Sequence, residues 1–149
     1  MGDTTPNVLI LHNDERESSE LQSLLEHNID CRASVTWSGL EALRLLQAGH
    51  FDVLLTDDYA PDLYIGDLIE RAAALVSRPQ VIVLSEGSTS AVVSRYQNLG
   101  LCTILEKERP RKILQAITAG AVWKQSRTFP PAKNSAPNSP QVFGVKQLN

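Results

Sequence analysis

The sequence predicts one open α/β domain whose parallel sheet is covered by helices on both faces. Two observations carry this prediction: five short apolar runs recur along the chain, and segments with helical spacing separate them. Runs rich in Val, Ile and Leu are typical of strands buried on both faces of a parallel sheet. Five alternations of strand and helix require right-handed crossovers between the strands. The predicted strands are VLIL (8–11), ASVTW (33–37), DVLLT (52–56), VIVLS (81–85) and CTILE (102–106).

Start and stop signals define the helices between these strands. Asp14 and Ser38 are predicted N-caps, and each is followed three residues later by a glutamate, Glu17 and Glu41, as in a capping box. Gly100 stands where the fourth helix is predicted to end. The predicted helices cover about 15–28, 39–48, 66–76, 89–98 and 110–124.

Composition excludes several classes of protein. The 149 residues include 14 Lys and Arg against 17 Asp and Glu, a net charge of -3, whereas a nucleic-acid surface needs clustered basic residues. Cys31 and Cys102 have neither disulfide-framework nor zinc-site spacing, so both are predicted to be free thiols. The chain has no signal-peptide pattern and no apolar run of membrane-spanning length. We therefore expect a cytoplasmic protein that binds neither nucleic acid nor membrane.

The composition changes after Trp123, where Pro, Ser and Asn become frequent. We predict a folded domain at 1–126 and a tail at 127–149, because such a composition cannot bury much apolar surface. The tail also contains a small apolar island, which consists of Val142, Phe143 and Val145.

Three residues that can hold a phosphoryl group stand at the ends of predicted strands. Asp57 follows the third strand, Ser85 ends the fourth and Lys107 follows the fifth. Because the carboxyl ends of parallel strands meet at one edge of the sheet, where ligands bind, these side chains are expected to converge. A carboxylate can attack phosphorus and form an acyl phosphate, while an ammonium and a hydroxyl hold the phosphoryl oxygens. The trio therefore predicts phosphoryl capture on Asp57.

Four segments resemble the CheY-like receiver domains of bacterial response regulators, in the family's order and over about residues 7–125. They are DVLLTDDYAPD, VIVLSE, LGLCTILEK and SGLEALRLL. The resemblance implies an α/β, flavodoxin-like (βα)5 fold: an open parallel sheet with strand order 2-1-3-4-5 and helices on both faces. It also implies a signalling domain that is not itself an enzyme.

Carried over position by position, the resemblance makes Asp57 the phosphoacceptor, Ser85 the switch hydroxyl and Lys107 the phosphate-binding lysine. Tyr59 would give its backbone carbonyl to a Mg²⁺ ion that Asp57 also binds. The implied phosphodonor is a sensor histidine kinase or a phosphotransfer protein.

The resemblance also implies how a signal leaves the domain. A downstream protein target would bind the face formed by the fourth helix, the fifth strand and the fifth helix, and we expect a monomer or a weak homodimer. Candidate contact residues on that face are Arg95, Tyr96, Arg111 and Lys112.

The metal site departs from the family's pattern. His12 and Asn13 fall on the family's acidic pair, and Asp14 is acidic but aligns one position late. Asn13 and Asp14 are therefore weak candidate ligands, and because Mg²⁺ prefers oxygen, we expect its affinity to be lowered or lost. His12 is open to three interpretations: a polar residue at the sheet edge, a cation paired with Asp57, or a transition-metal ligand.

Three further positions differ from the family. Ile104 replaces an aromatic residue, Glu108 replaces a proline, and a loop glycine is displaced to Gly66. The altered acidic pair and the missing aromatic residue support the alternative of a pseudo-receiver, a protein–protein interaction module that works without phosphorylation. Asp58 and Glu86 are interpreted as solvated loop acids.

Enzymes with related folds fit the sequence less well. A flavodoxin needs a phosphate loop rich in Ser, Thr and Gly after the first strand, where this chain has the acidic segment HNDE. A phosphatase of the haloacid dehalogenase type needs a second Asp two residues past the nucleophile, where Tyr59 stands. A dinucleotide fold needs a glycine fingerprint that the sequence lacks.

Overall fold

A computed structural model describes residues 5–86, 91–107 and 109–126, and it confirms the predicted alternation of strands and helices. The strands are β1 (Asn7–Leu11), β2 (Arg32–Thr36), β3 (Val53–Asp57), β4 (Gln80–Ser85) and β5 (Thr103–Glu106). The helices are α1 (Glu15–Asn28), α2 (Gly39–Ala48), α3 (Ile65–Ala73), α4 (Ala91–Asn98) and α5 (Pro110–Ser126). The predicted tail at 127–149 and its apolar island lie outside the described residues.

The strands form one parallel sheet in the order β2-β1-β3-β4-β5, as the resemblance implies. Strand β3 lies at its centre, so Asp57, the last residue of β3, stands at the middle of the carboxyl edge. The order reverses between β1 and β3, which makes this edge the topological switch point. A ligand-binding site is therefore expected at this edge of the sheet.

Two apolar layers hold the helices against opposite faces of the sheet. Helices α2, α3 and α4 cover one face, and α1 and α5 cover the other. Side chains of β1, β3 and β4 alternate between the two layers along each strand, as the period of two requires. The helix residues that are buried in the first layer are Ala42, Leu43, Leu46, Ile65, Leu68, Ile69, Ala72, Val93 and Tyr96. Those in the second are Leu25, Ile113 and Ile117.

The prediction that every strand is buried on both faces is wrong for β2 and β5. Strand β3 is buried at all five positions, whereas β2 exposes Arg32 and Ser34 and β5 exposes Thr103. These two strands are the sheet edges, where one neighbouring strand is missing and the helices cover less of the surface. Apolar residues in an edge strand and in a central strand look alike in sequence, so burial depends on the strand order.

The helix starts agree with the predicted caps. Asp14 accepts the Glu17 N–H at 2.9 Å, and Ser38 accepts the Glu41 N–H at 3.1 Å. Helix α3 ends at Ala73, three residues before its predicted end, in a turn that leads to Arg78 with φ 35°. The hydrogen bonding changes before that residue: the Leu75 N–H donates to the Ala72 carbonyl, three residues back, at 3.3 Å, so the α-helical pattern ends in a tighter turn.

Asp62 adds a second cap to α2 from the loop after β3. Its carboxylate accepts the Ser38 hydroxyl at 2.6 Å and the N–H groups of Gly39 and Leu40 at 2.8 and 3.2 Å. The Ser38 hydroxyl, and then these backbone N–H groups, lower the pKa of Asp62 below its ordinary value of 3.8. The contact ties the loop that follows Asp57 to the start of α2.

The Asp62 cap makes the stability of the folded chain depend on pH in the acidic range. A lowered carboxyl pKa contributes stability that is present above the unfolded value and is lost as the pH falls through the folded value. We expect Asp62→Asn to lower the urea midpoint at neutral pH, and the gap between variant and wild type to close as the pH falls below 3.8. Equal midpoints at neutral pH would contradict the capping role.

Both cysteines are free, as predicted: Cys31 is half-buried and Cys102 is buried. Burial raises the pKa of Cys102 to about 11. Among the described residues, no helix is both long and apolar enough to cross a membrane.

Candidate functional site

Asp57 lies at the bottom of a cleft of about 520 Å³ at the carboxyl edge of the sheet. Asp57 is only 7% exposed, so its carboxylate is largely removed from bulk water. Oδ1 lies 3.1 Å from the Lys107 Nζ and accepts the Asp58 N–H at 2.8 Å. The described residues that line the cleft are His12, Asn13, Asp14, Glu17, Asp57, Asp58, Glu86 and Lys107.

Strand pairing brings Lys107 to the same edge of the sheet as Asp57, with β4 between their strands. Glu106 pairs with Ser85 in the β4–β5 ladder, and the next residue, Lys107, donates its N–H to the Ser85 carbonyl at 2.9 Å. The Lys107 Nζ lies 3.6 Å from Glu86 and 3.9 Å from Glu17, besides its contact with Asp57. Burial alone lowers the pKa of Lys107, but the hydrogen bond and charge of Asp57, followed by the charges of Glu86 and Glu17, outweigh it and raise the pKa. Lys107 is therefore a cation at neutral pH.

Ser85 completes the predicted trio. Asp57 pairs with Leu84 in the β3–β4 ladder, so Ser85 stands one residue further along the neighbouring strand, and it is buried. The structure thus brings Asp57, Ser85 and Lys107 to one edge on three adjacent strands. Tyr59 follows in the loop after β3 with a side chain that is 61% exposed. The roles of these four residues stay predictions.

His12 is a buried, hydrogen-bonded residue beside Asp57, which is the first of its three interpretations. It is 3% exposed; its Nδ1 accepts the Asp14 N–H at 3.2 Å, and its Nε2 lies 3.0 Å from the Glu17 Oε1. Because Nδ1 is an acceptor, the ring proton is on Nε2, which donates to Glu17. The Nε2 also faces the Asp57 Oδ2 at 3.8 Å, which is too long for a hydrogen bond.

Glu17 is a member of the site that the sequence did not indicate. The capping-box pattern predicts that its carboxylate turns back to the Asp14 N–H, but His12 takes that N–H. The Glu17 carboxylate instead reaches His12 and comes within 3.9 Å of Lys107. One signal could have suggested this: the first turn of a helix that follows β1 faces the carboxyl edge of the sheet.

Asp58 and Glu86 both line the cleft; Glu86 is exposed, as predicted, whereas Asp58 is half-buried. Burial, then the charge of Asp57 and a hydrogen bond with it, raise the pKa of Asp58. Glu86 is exposed but lies 3.6 Å from the Lys107 Nζ. The cleft therefore holds several carboxyl groups around one ammonium group.

The residues on the family's metal positions do not form an oxygen-rich set for Mg²⁺. The His12 Nε2–H lies beside Asp57 but is donated to Glu17, Asn13 is exposed, and the Asp14 carboxylate is engaged as the cap of α1. Within residues 5–86, 91–107 and 109–126, no group of three or more His, Cys, Asp or Glu side chains is placed to hold a metal ion. A hard cation that needs several oxygen ligands does not fit this arrangement.

The predicted contact face on α4, β5 and α5 has three exposed basic residues, Arg95, Arg111 and Lys112. Tyr96, the fourth candidate, does not belong to that surface, because it is only 3% exposed. Its ring packs inward against Gly66 of α3, where an added Cβ would lie 2.8 Å from the ring. Ile104, at the family's aromatic position, is half-buried, and Glu108 lies outside the described residues.

Neither a protein-family model nor a curated protein sequence matches the chain. Solved structures do match. A CheY-like response-regulator receiver domain from Methanospirillum hungatei superposes with a TM-score of 0.74 at 19% identity, covering 83% of this chain and 98% of that one. The signal receiver domain of an HD domain-containing protein from Pseudomonas fluorescens gives 0.75 at 18% identity, covering 86% and 95%. A response-regulator receiver domain from Francisella gives 0.69 at 20% identity, covering 80% and 99%.

These similarities agree with the strand order of the sheet. Sequence identities at this level establish the fold and leave the chemistry to the residues themselves. The chain has the fold of a CheY-like response-regulator receiver domain.

Proposed function

We propose that the chain is a receiver domain in two-component phosphorelay signalling and that it accepts a phosphoryl group on Asp57. One observation carries the proposal: the Asp57 carboxylate lies at the bottom of an open cleft with the Lys107 ammonium 3.1 Å from Oδ1. A sensor histidine kinase or a phosphotransfer protein is the phosphodonor. The output is a protein contact on the α4–β5–α5 face.

The chemistry needs a nucleophile, a positive charge and a hydrogen-bond donor. An Asp57 oxygen attacks phosphorus, the new P–O bond forms, and the bond from phosphorus to the donor nitrogen or oxygen breaks, so that the leaving group keeps the electron pair. Lys107 offsets the charge of the phosphoryl oxygens. Ser85, buried on the neighbouring strand, is the hydroxyl that binds the phosphoryl group on Asp57. That contact changes the structure around Ser85.

Acetyl phosphate tests the proposal, because this small acyl phosphate can supply the group without a partner protein. We expect the intact mass of the wild-type chain to increase by one phosphoryl group, and hydroxylamine, which cleaves acyl phosphates, to remove the increase. Asp57→Asn should stay unmodified, whereas the matched control Asp58→Asn, one residue away, should be modified. Modification that persists in Asp57→Asn would contradict the assignment.

The second candidate function is the pseudo-receiver, a protein–protein interaction module that works without phosphorylation. The observation in its favour is the poor fit of the site to Mg²⁺: His12, rather than a carboxylate, faces Asp57. If the wild-type chain stays unmodified both with and without Mg²⁺, this candidate replaces the first.

A further inference from the structure

We propose that the Nε2–H of His12 takes the place of a divalent cation at the phosphoacceptor, so that Asp57 accepts a phosphoryl group without a metal ion. The inference rests on the proposed function and deepens it. It follows from three features of the cleft: the unequal surroundings of the two Asp57 oxygens, the fixed tautomer of His12, and the position of Glu17.

The two carboxylate oxygens of Asp57 have different neighbours. Oδ1 is held by the Lys107 Nζ at 3.1 Å and by the Asp58 N–H at 2.8 Å. Oδ2 faces the His12 Nε2 at 3.8 Å. Attack through Oδ2 leaves both contacts of Oδ1 in place and puts the incoming phosphoryl oxygens beside the imidazole.

The backbone fixes which ring nitrogen of His12 carries the proton. The Asp14 N–H occupies Nδ1, and this N–H is held in place because the Asp14 carboxylate caps α1. With Nδ1 accepting the Asp14 N–H, the Nε2–H of His12 is directed into the cleft. A donor that is oriented before the ligand arrives costs little reorganisation, and this is how a polar site stabilises a developing charge.

Glu17 holds the place that a phosphoryl oxygen would take. Its Oε1 accepts the His12 Nε2–H at 3.0 Å and lies 3.9 Å from the Lys107 Nζ, so one carboxylate contacts both donors. The Glu17 side chain is 46% exposed and belongs to the first turn of α1, so it can turn into water. A phosphoryl oxygen then replaces the Glu17 carboxylate on His12 and Lys107.

The step balances without a metal ion. With acetyl phosphate as donor, a P–O bond forms to the Asp57 Oδ2, the P–O bond to the acetyl group breaks, and acetate leaves with the electron pair. No proton is transferred: His12 and Lys107 keep their protons and change only the oxygen to which they donate.

The test compares the rate of modification by acetyl phosphate in EDTA with the rate in excess Mg²⁺. We expect the wild-type rate to change less than about 2-fold between the two conditions. His12→Leu, which removes the donor, should lose about 100-fold in EDTA, the cost of one donor to a developing negative charge. His12→Gln, which restores an N–H near the Nε2 position, should recover most of that loss. His12→Asp should be modified faster with Mg²⁺ than with EDTA, because it supplies an oxygen ligand.

A second measurement uses the wild-type chain and does not depend on the folding of any variant. In ¹⁵N-labelled protein held in EDTA, the Nε2–H signal of His12 should shift on modification while its Nδ1 remains unprotonated. Wild-type modification that requires Mg²⁺ would overturn the inference and leave the proposed function intact, as would His12→Leu reacting at the wild-type rate in EDTA. No modification of the wild-type chain under either condition would overturn the proposed function itself.

Discussion

Lys107→Met is expected to lower the free energy of unfolding by about 3 kcal/mol at neutral pH and to remove phosphoryl acceptance at Asp57. The variant leaves the largely buried Asp57 carboxylate without its ammonium partner, and removing one member of a buried pair costs about 3 to 5 kcal/mol. The neighbouring side chains of Asp58, Glu17 and Glu86 carry carboxyl groups, so they cannot replace the ammonium group of Lys107. Urea unfolding and the acetyl phosphate assay measure the two effects.

The double variant Asp57→Asn with Lys107→Met separates charge from packing. Because asparagine is neutral, the double variant should regain most of the lost stability while remaining unmodified. The pKa of Lys107 is raised in the folded state, so its contribution is present below the unfolded value of 10.5 and is lost as the pH rises through the folded value. A single variant as stable as the wild type at neutral pH would show that the Lys107–Asp57 contact contributes nothing to folding.

Gly66→Ala is expected to cost about 2 kcal/mol of stability. An added Cβ would lie 2.8 Å from both the ring Cε2 and the hydroxyl oxygen of Tyr96, and it would also contact the Tyr64 ring. Tyr64 is exposed and can move aside, whereas Tyr96 is buried between α3 and α4. Overpacking of this kind costs about 3 kcal/mol, and the higher helix propensity of alanine offsets about 1 kcal/mol.

Tyr96→Leu provides the matched control for Gly66→Ala. The smaller side chain removes the atoms that the new methyl group would meet, so the cost of Gly66→Ala in that background should fall below 1 kcal/mol. Chemical denaturation of the four proteins of this cycle measures the coupling. Additive costs would show that Tyr96 is not what confines residue 66 to glycine.

The elements and their order were predictable because they depend on features that the sequence carries directly. Apolar runs of strand length, the caps at Asp14 and Ser38, and Gly100, whose φ is 76°, are local signals. Strand order came from the resemblance, since periodicity alone does not say which strands are neighbours. The convergence of Asp57, Ser85 and Lys107 then followed from the topology of parallel strands.

The parts that could not be predicted are the ones decided by competition between neighbours. Glu17 fits a capping box, yet its carboxylate goes to His12 because the Nδ1 of His12 has already taken the Asp14 N–H. Tyr96 is predicted to be an exposed aromatic residue on the contact face. Its ring is buried instead, because Gly66 has no side chain and leaves room for it. In the first case the competing side chain is only two residues from Asp14, and in the second it lies on another helix, so neither outcome is specified by residue spacing alone.

The crowding of carboxyl groups around Lys107 bears on how fast a phosphodonor can reach Asp57. Among the described residues that line the cleft, five carry a carboxyl group, and the only basic side chains are Lys107 and His12. The potential at the entrance is therefore negative, so a dianionic small molecule such as acetyl phosphate approaches against the field and modifies Asp57 more slowly than it would at a neutral entrance. A protein donor with positive groups around its phosphorylated residue is attracted instead. For the proposed phosphoacceptor, the charge of the cleft would therefore favour a donor with a basic surface over a free phosphorylated metabolite, as a difference in rate.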